Sequence, residues 1–206
     1  MTGAFDAQLL LSVFITLFVI MDPPGTVPIF LALTGTMTRA ERSRAARQAV
    51  LVALGVVVAF AVFGQGLLSY MHISLAALQG SGGLLLLVVA MELLTGKAEE
   101  PQPAAAGRVN VALVPLGTPL LAGPGAIVAT MVFVQQAEQT WDWVVIALGI
   151  LGVHLCLYLA MRFAGAVHRV LGESGTTLVT RIAGLLLAAI AVQLVADAVR
   201  AFVTEG

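Results

Sequence analysis

The sequence has 206 residues, of which 60% are apolar and only 10% carry a charge, and its formal net charge is −1. A soluble domain has about 25% charged residues, so this chain lacks the polar surface of a soluble enzyme, and it has no basic excess for nucleic acid. The apolar residues suffice for about six bilayer helices of about 20 residues each. The composition predicts an integral membrane protein whose surroundings are the lipid bilayer.

Uncharged runs divide the chain into predicted membrane-spanning helices. No charged residue occurs from Gln48 to Met91 or from Val109 to Ala137. The apolar runs do not alternate in polarity as barrel strands do, so we expect helices. The first six residues lack the positive charges of a secretion signal, and we expect the first span to be retained. Six spans are predicted, at residues 7–35, 48–69, 73–94, 109–136, 143–162 and 179–202.

The basic residues predict the orientation of these spans. Nine of the ten fall in or beside the loops after the first, third and fifth spans, and Arg200 alone falls on the other side. Lysine and arginine resist translocation, so we expect those loops in the cytoplasm and both termini outside. The nine are Arg39, Arg42, Arg44, Arg47, Lys97, Arg108, Arg162, Arg169 and Arg181.

A polar linker divides this single transmembrane domain, residues 1–206, into two halves. We predict a first repeat at 7–95, a cytoplasmic linker at 96–108 and a second repeat at 109–203. Three spans is an odd number, so the second half must enter the membrane inverted relative to the first. Inverted repeats of this kind recur in secondary transporters.

The first span of each half contains helix-breaking residues. The first has Asp22 before two prolines and Gly25, and the fourth has Pro115–Pro119 followed by Gly123, Pro124 and Gly125. Proline removes a backbone donor and glycine favours non-helical angles, so neither span is predicted to be one continuous helix. Unwound backbone has to avoid lipid, and the two breaks are expected to line a shared interior site.

Each restarted helix has a candidate cap, Asp22 before Pro23 and Gly123 before Pro124. Helix N-termini favour an anion, and the carbonyls that end the preceding segments favour an ammonium group or a cation, so a zwitterion fits both. A pair of simple proline kinks, with Asp22 as a cap only, is the plainer interpretation. The predicted substrate-binding residues are Asp22, Pro23, Gly25, Thr26, Thr118, Gly123, Pro124 and Gly125.

Two ionisable residues inside the spans are candidates for proton coupling. Asp22 is an intramembrane carboxylate, and such groups are costly and usually functional. His154 lies in the middle of the fifth span, where it can relay protons or form a hydrogen bond that serves packing. We predict no metal site and no cofactor. Close helix packing is expected at the glycines of the third and fifth spans, Gly80, Gly82, Gly83, Gly149 and Gly152.

At both breaks the sequence resembles the MarC family of bacterial inner-membrane proteins, which is related to small neutral amino acid transporters. The resemblance covers essentially the whole chain and implies a multi-pass protein of the inner membrane. Thr26 stands where many members have asparagine. The first motif is matched by Asp22, Pro23, Gly25, Pro28 and Phe30, and the second by Pro115, Leu116 and the run Pro119–Ile127.

The resulting expectation is a secondary transporter for glycine and alanine, coupled to protons or sodium, and not an enzyme. No phosphate-binding loop is present in the sequence to couple ATP directly. Export of another small metabolite or a drug, and a scaffold that transports nothing, remain alternatives. An intramembrane hydrolase using Ser81 and His154 is a further alternative from a different class. The sequence leaves the oligomeric state open.

Overall fold

The computed structural model describes residues 6–96 and 122–205, and these residues form seven helices. Predicted site residue Thr118 and the linker from residue 97 onward lie outside the described ranges. The helices are α1 (Ala7–Met21), α2 (Pro23–Leu33), α3 (Arg39–Tyr70), α4 (Leu75–Thr95), α5 (Pro124–Gln135), α6 (Thr140–Arg162) and α7 (Ala164–Glu205).

Five segments of the described chain are long and apolar enough to cross a membrane. They correspond to five of the six predicted spans, with α1 and α2 together making the first. The remaining prediction, 109–136, contains the short apolar helix α5 in its second half, and its first half lies outside the described residues. The protein is therefore an all-helical membrane protein. Its candidate spans are Ala7–Leu31, Arg39–Tyr70, Leu75–Thr95, Thr140–Arg162 and Ser174–Thr204.

Two helices begin well before the predicted spans. A capping box starts α3. The Glu41 carboxylate accepts a hydrogen bond from the N–H of Thr38 at 2.8 Å, and the N–H of Glu41 donates to the Thr38 hydroxyl at 3.3 Å. The helix therefore begins at Arg39, before the uncharged run that predicted a start at residue 48. Helix α7 begins at Ala164 and is interrupted at Gly172, where φ is 64° and ψ is −179°. Charge marks where a span leaves lipid, whereas local capping decides where a helix begins.

Helices α4 and α7 form a closely packed antiparallel pair. Gly83 approaches the carbonyl of Ala191, and Gly184 approaches the carbonyl of Ala90; an added Cβ would lie 2.8 Å and 3.2 Å from those oxygens. Small residues let membrane helices approach until van der Waals contacts hold them together. The predicted role of Gly83 in close packing is confirmed.

The remaining helices pack around this pair. Helices α1 and α2 contact α6 and α7, while α5 contacts α3 and α4. Gly149 of α6 lies against Val13 of α1, and Gly64 of α3 lies against Met131 of α5. The large buried side chains of the main core include Leu17, Val27, Phe30, Ile146 and Leu157.

Many large apolar side chains lie on the outside of the helices. Phe63 is 73% exposed and Leu185 is 64% exposed, and similar residues occur on α4 and α6. Such a surface is unfavourable in water but matches the acyl chains of a bilayer. The outward faces of the spans therefore meet lipid.

Candidate site at the helix breaks

A single residue separates α1 from α2. Asp22 has φ 38° and ψ 70°, a left-handed conformation that aspartate tolerates better than most side chains. Its backbone N–H donates to the carbonyl of Phe18 and closes α1, while its Oδ1 accepts from the N–H of Gly25 at 3.1 Å and opens α2. The predicted cap at Asp22, with Pro23 as the first helical residue, is confirmed.

The Asp22 carboxylate is buried beside α7. The residue is 7% exposed, and its Oδ2 makes no hydrogen bond of normal geometry within the described part of the chain. The Thr180 hydroxyl, on α7, lies next to this carboxylate. A Cβ added to Gly25 would lie 2.8 Å from Asp22 Cγ and 2.9 Å from Thr180 Oγ1. The absence of a side chain at Gly25 therefore leaves room for the carboxylate and the hydroxyl to meet.

Thr26 bonds to the backbone that ends α1. Its hydroxyl donates to the carbonyl of Asp22 at 2.9 Å, with a longer contact of 3.4 Å to the carbonyl of Met21. The residue is buried. The Asp22 carbonyl also accepts the N–H of Thr26 at 3.0 Å, so the hydroxyl adds a second bond to a carbonyl that is already paired in α2.

The second break is built differently at its cap. Gly123 is the extended residue before α5, with φ −62° and ψ 165°, and it contributes no side-chain cap. The N–H groups of Ala126 and Ile127 both donate to the Gly123 carbonyl, at 3.0 Å and 3.3 Å. Across the described ranges, no hydrogen bond is made by the N–H of Gly125. The predicted start of α5, with Gly123 as cap and Pro124 first, is confirmed, and its N-terminus is less fully paired than that of α2.

The two breaks are neighbours in space. A Cβ on Gly125 would lie 3.3 Å from Cγ2 of Ile20, which is two residues before Asp22, and 2.9 Å from Cγ of Leu86 on α4. Helices α1 and α5 therefore meet close to both interruptions. The structure brings the end of α1 next to the start of α5 through Ile20 and Gly125, whereas Asp22 and Gly25 lie beside Thr180 of α7.

His154 is buried in α6 but is bonded within its own helix. The residue is 2% exposed, and Nδ1 lies 2.8 Å from the carbonyl of Ile150. Its Nε2 makes no hydrogen bond to any residue that the structure describes. No described hydrogen bond joins His154 to Asp22, so the geometry favours Asp22 over His154 as the polar centre of the site.

The hydrolase alternative gains no support from the geometry. Ser81 lies on the exposed side of α4, and its hydroxyl donates to the carbonyl of Leu78 at 3.0 Å in the same helix. His154, its supposed base, is enclosed in α6. Within the described ranges, no three His, Cys, Asp or Glu residues come together in a group that could hold a metal ion.

Sequence reasoning missed two buried threonines near the site. Thr180 of α7 lies beside Asp22, and Thr130 of α5 is fully buried with its hydroxyl unpaired among the described groups. Each is a lone hydroxyl in an apolar segment, which is a weak signal because threonine can bond to its own helix in lipid. Only the packing of α7 against α2 shows that Thr180 faces Asp22.

Comparison with known proteins identifies the family. Residues 7–203 match the MarC family of integral membrane proteins. The chain belongs to the MarC family. A UPF0056 membrane protein of Methanocaldococcus jannaschii is 38% identical over 200 residues, which is 95% of this chain and 98% of that protein.

Bacterial members of the MarC family are similar over comparable lengths. The UPF0056 membrane protein YvbG of Bacillus subtilis is 31% identical over 190 residues, covering 89% of this chain and 90% of that protein. The UPF0056 membrane protein YhcE of Escherichia coli is 30% identical over 203 residues, covering 95% of this chain and 94% of that protein. No solved structure matches this chain.

Proposed function

We propose that this MarC protein is a secondary transporter that moves small neutral amino acids, glycine and alanine, across the bacterial inner membrane. The observation that carries the proposal is the meeting of two helix breaks. One has a buried carboxylate, at Asp22, and the other has a helix N-terminus that no side chain caps, at Gly123. Helix breaks of this kind form the binding sites of several transporter folds.

The chemistry of the two breaks matches the two ends of an amino acid. The N-terminus of α5 carries partial positive charge, and the N–H of Gly125 makes no hydrogen bond to the described residues, which suits the substrate carboxylate. The Asp22 carboxylate suits the substrate ammonium group. There is no free space for a Cβ at Gly25 or Gly125, so the helices pack closely around both breaks. Such close packing favours a substrate with a very small side chain.

The packing of the helices supports an inverted-repeat mechanism with six spans. The broken helix of the first half, α1 and α2, packs against α6 and α7 of the second half. In the same way, α5 of the second half packs against α3 and α4 of the first, so the contacts of the two halves correspond. The interface of α4 and α7 repeats one spacing: Gly83, Leu86 and Ala90 correspond to Gly184, Leu187 and Ala191. Rocking of one half against the other would expose the breaks to each side in turn.

The distribution of charge supports the proposed orientation. Arginines of α3, α6 and the start of α7 gather at one end of the molecule, where they line two cavities. Arg200 lies at the far end, where it pairs with Asp197 at 3.9 Å, as its spacing predicts. We therefore place the arginine-rich end in the cytoplasm and both termini outside.

Proton coupling through Asp22 is the mechanism that we favour over sodium coupling. The buried carboxylate has few partners, and a group that alternates between charged and neutral forms can carry a proton only when water reaches it. The carboxylate would be exposed first to one side of the membrane and then to the other. Between these two states, closure of the helices around the site would separate it from both solutions. His154 remains a second candidate, with a free Nε2 among the described residues.

Liposomes holding purified protein provide the test. We expect uptake of labelled glycine and alanine that a pH gradient accelerates at least tenfold, with little uptake of leucine or phenylalanine. Asp22→Asn keeps an oxygen that can cap α2 but can neither release a proton nor pair as an anion with the substrate ammonium group, so gradient-driven accumulation should be lost and downhill exchange of glycine should weaken. Asp197→Asn is the matched control, because it makes the same chemical change at an exposed residue.

Several outcomes would overturn the proposal. Liposomes that show no flux of any amino acid in either direction would favour export of another metabolite or a scaffold role. Accumulation driven equally well by the Asp22→Asn variant would reject proton coupling through this residue. A sodium gradient that replaces the pH gradient completely would identify the other coupling ion.

A further inference from the structure

Two adjoining cavities at the arginine-rich end each have four arginines in their lining, and the rest of the smaller cavity's lining is mostly apolar. Their volumes are about 490 Å³ and 360 Å³, and they share a wall made by Arg39, Ser43 and Arg162. They lie where the start of α3 meets the end of α6 and the start of α7. Arg44, Arg47 and Tyr158 complete the lining of the larger one, and Arg42, Phe163 and Arg169 lie along the smaller one.

The guanidinium groups around these cavities have no carboxylate partners within the described ranges. The ion pair found in the described ranges, Asp197–Arg200, lies at the end of the molecule opposite the cavities. The nearby carboxylate of Glu41 is engaged by the backbone and hydroxyl of Thr38, both at 2.8 Å. Arg42 donates to the carbonyl of Thr34 at 3.1 Å, while its Nε is buried without a partner among these residues.

This arrangement exceeds what orientation alone requires. Basic residues keep a loop in the cytoplasm wherever they lie on it. Here arginines from three helices surround two adjoining cavities, and no carboxylate of the described residues compensates their mutual repulsion. Guanidinium groups bind phosphate oxygens through paired hydrogen bonds, so the missing group is best supplied by a phosphate ester.

We propose that these cavities bind the phosphate headgroup of an anionic phospholipid. The lipid source follows from the surface next to them, because Leu155, Leu159 and Phe163 are exposed on α6 beside the cavity residues Tyr158 and Arg162. A lipid seated with its phosphate among the arginines has its acyl chains along this apolar face. Basic pockets between helices on the cytoplasmic side are known lipid headgroup sites in membrane proteins.

Native mass spectrometry of the full-length protein in detergent tests the proposal. The protein is titrated with phosphatidylglycerol and, separately, with phosphatidylcholine carrying the same acyl chains. We expect at least tenfold tighter binding of phosphatidylglycerol, and the double variant Arg39→Gln/Arg162→Gln should lose that difference. Arg200→Gln removes one positive charge at the other end and should bind as the unaltered protein does.

Two further arms keep the result interpretable. Arg39→Lys/Arg162→Lys retains the charge without the paired donors, so it should bind more weakly than the unaltered protein and more tightly than the glutamine variant. If the glutamine double variant fails to fold, the single Arg44→Gln variant, whose side chain is exposed, gives the same test with a smaller expected loss.

Three results would overturn the proposal. The first is equal binding of phosphatidylglycerol and phosphatidylcholine. The second is a loss of binding in Arg200→Gln as large as in the Arg39→Gln/Arg162→Gln variant, which would indicate a general effect of charge. The third is binding of inorganic phosphate alone with the affinity of phosphatidylglycerol, which would identify a site for a soluble anion. None of these results depends on whether the protein transports amino acids.

Discussion

At the scale of single residues, Asp22 performs two structural tasks that normally fall to different positions. It ends α1 in a left-handed conformation and starts α2 with its side chain. An asparagine can do both, because its amide oxygen caps a helix and it also tolerates this conformation. The local structure therefore accounts for a small polar residue at position 22 but does not require its negative charge.

Replacing Gly25 by alanine should disturb the site more than a matched change elsewhere. The added Cβ would lie 2.8 Å from Asp22 Cγ and 2.9 Å from Thr180 Oγ1, so the carboxylate or α7 has to move. Overpacking of this kind costs about 1–3 kcal/mol. We expect a lower melting temperature in detergent for Gly25→Ala, together with slower amino acid uptake.

Gly66→Ala is the control for that experiment, because a Cβ there has nothing within 4 Å. An alanine in an open helical position should leave the stability unchanged or raise it by up to about 1 kcal/mol. Equal melting temperatures for the two variants would show that the space around Gly25 is not limiting.

Much of the break was predictable because caps are local. The sequence Asp-Pro-Pro-Gly contains its own helix start, and Gly-Pro-Gly at residues 123–125 contains another. Thr180 was not predictable in the same way, since its contact with Asp22 depends on the way α7 packs against α2. At the start of α2 the N–H of Gly25 is already bonded, because Asp22 accepts from it.

At the scale of whole helices, backbone atoms limit how closely the antiparallel helices α4 and α7 can approach each other. A Cβ at Gly83 would meet the carbonyl of Ala191 and Cγ2 of Val195, both at 2.8 Å, and a rotation of the valine side chain would not relieve the contact with the carbonyl. The charge-free run predicted the extent of α4 well, because lipid excludes charge along the whole span. Such runs did not predict the start of α3, which the capping box of Thr38 and Glu41 decides, or the start of α7.

Gly83→Ala should therefore destabilise the pair more than Gly184→Ala. The added methyl lies 2.8 Å from a backbone oxygen in the first case, and 3.0 Å from Leu93 Cβ and 3.2 Å from a backbone oxygen in the second. We expect losses of about 1–3 kcal/mol and about 1 kcal/mol in the free energy of unfolding, measured by denaturation in mixed micelles.

The double variant adds a test of the shared interface. Once α4 and α7 have separated to admit one methyl group, the second should cost less, so the two losses should sum to more than the loss in the double variant. Gly55→Ala, in open space on α3, is the control. Strict additivity would mean that the two glycines do not limit the same approach.

At the scale of the molecule, the number of crossings decides whether the two ends of the chain lie on the same side. Five apolar spans are described, and α5 forms the second half of the predicted fourth span, 109–136. With an even number of crossings, the C-terminus lies on the same side of the membrane as the N-terminus. Two inverted halves require an even total, because each half has the same odd number of crossings. The division into halves was predicted from charge and from the spacing of the breaks. The boundary between the halves lies within residues 97–121, which are outside the described structure.

Cysteine labelling in intact cells tests the six-span arrangement. The chain has one cysteine, Cys156, and Cys156→Ala provides a background for Thr36→Cys, Ser69→Cys and Thr204→Cys, all at exposed positions. We expect a membrane-impermeant maleimide to label positions 69 and 204 and to reach position 36 only after the cells are broken. Labelling of 69 but not of 204 would indicate an odd number of crossings between them and contradict the inverted halves.

The two helix starts differ in what completes them. At α2 the chain supplies its own acceptor, an oxygen of Asp22 that is covalently fixed to the helix it caps. At α5 the residue in the equivalent place is a glycine, which has nothing to offer. A partner built into the backbone is permanent, whereas one that arrives from solution can be exchanged. The difference between an aspartate and a glycine at these two positions thus separates a helix start that the chain completes with its own side chain from one that has no side-chain cap among the described residues.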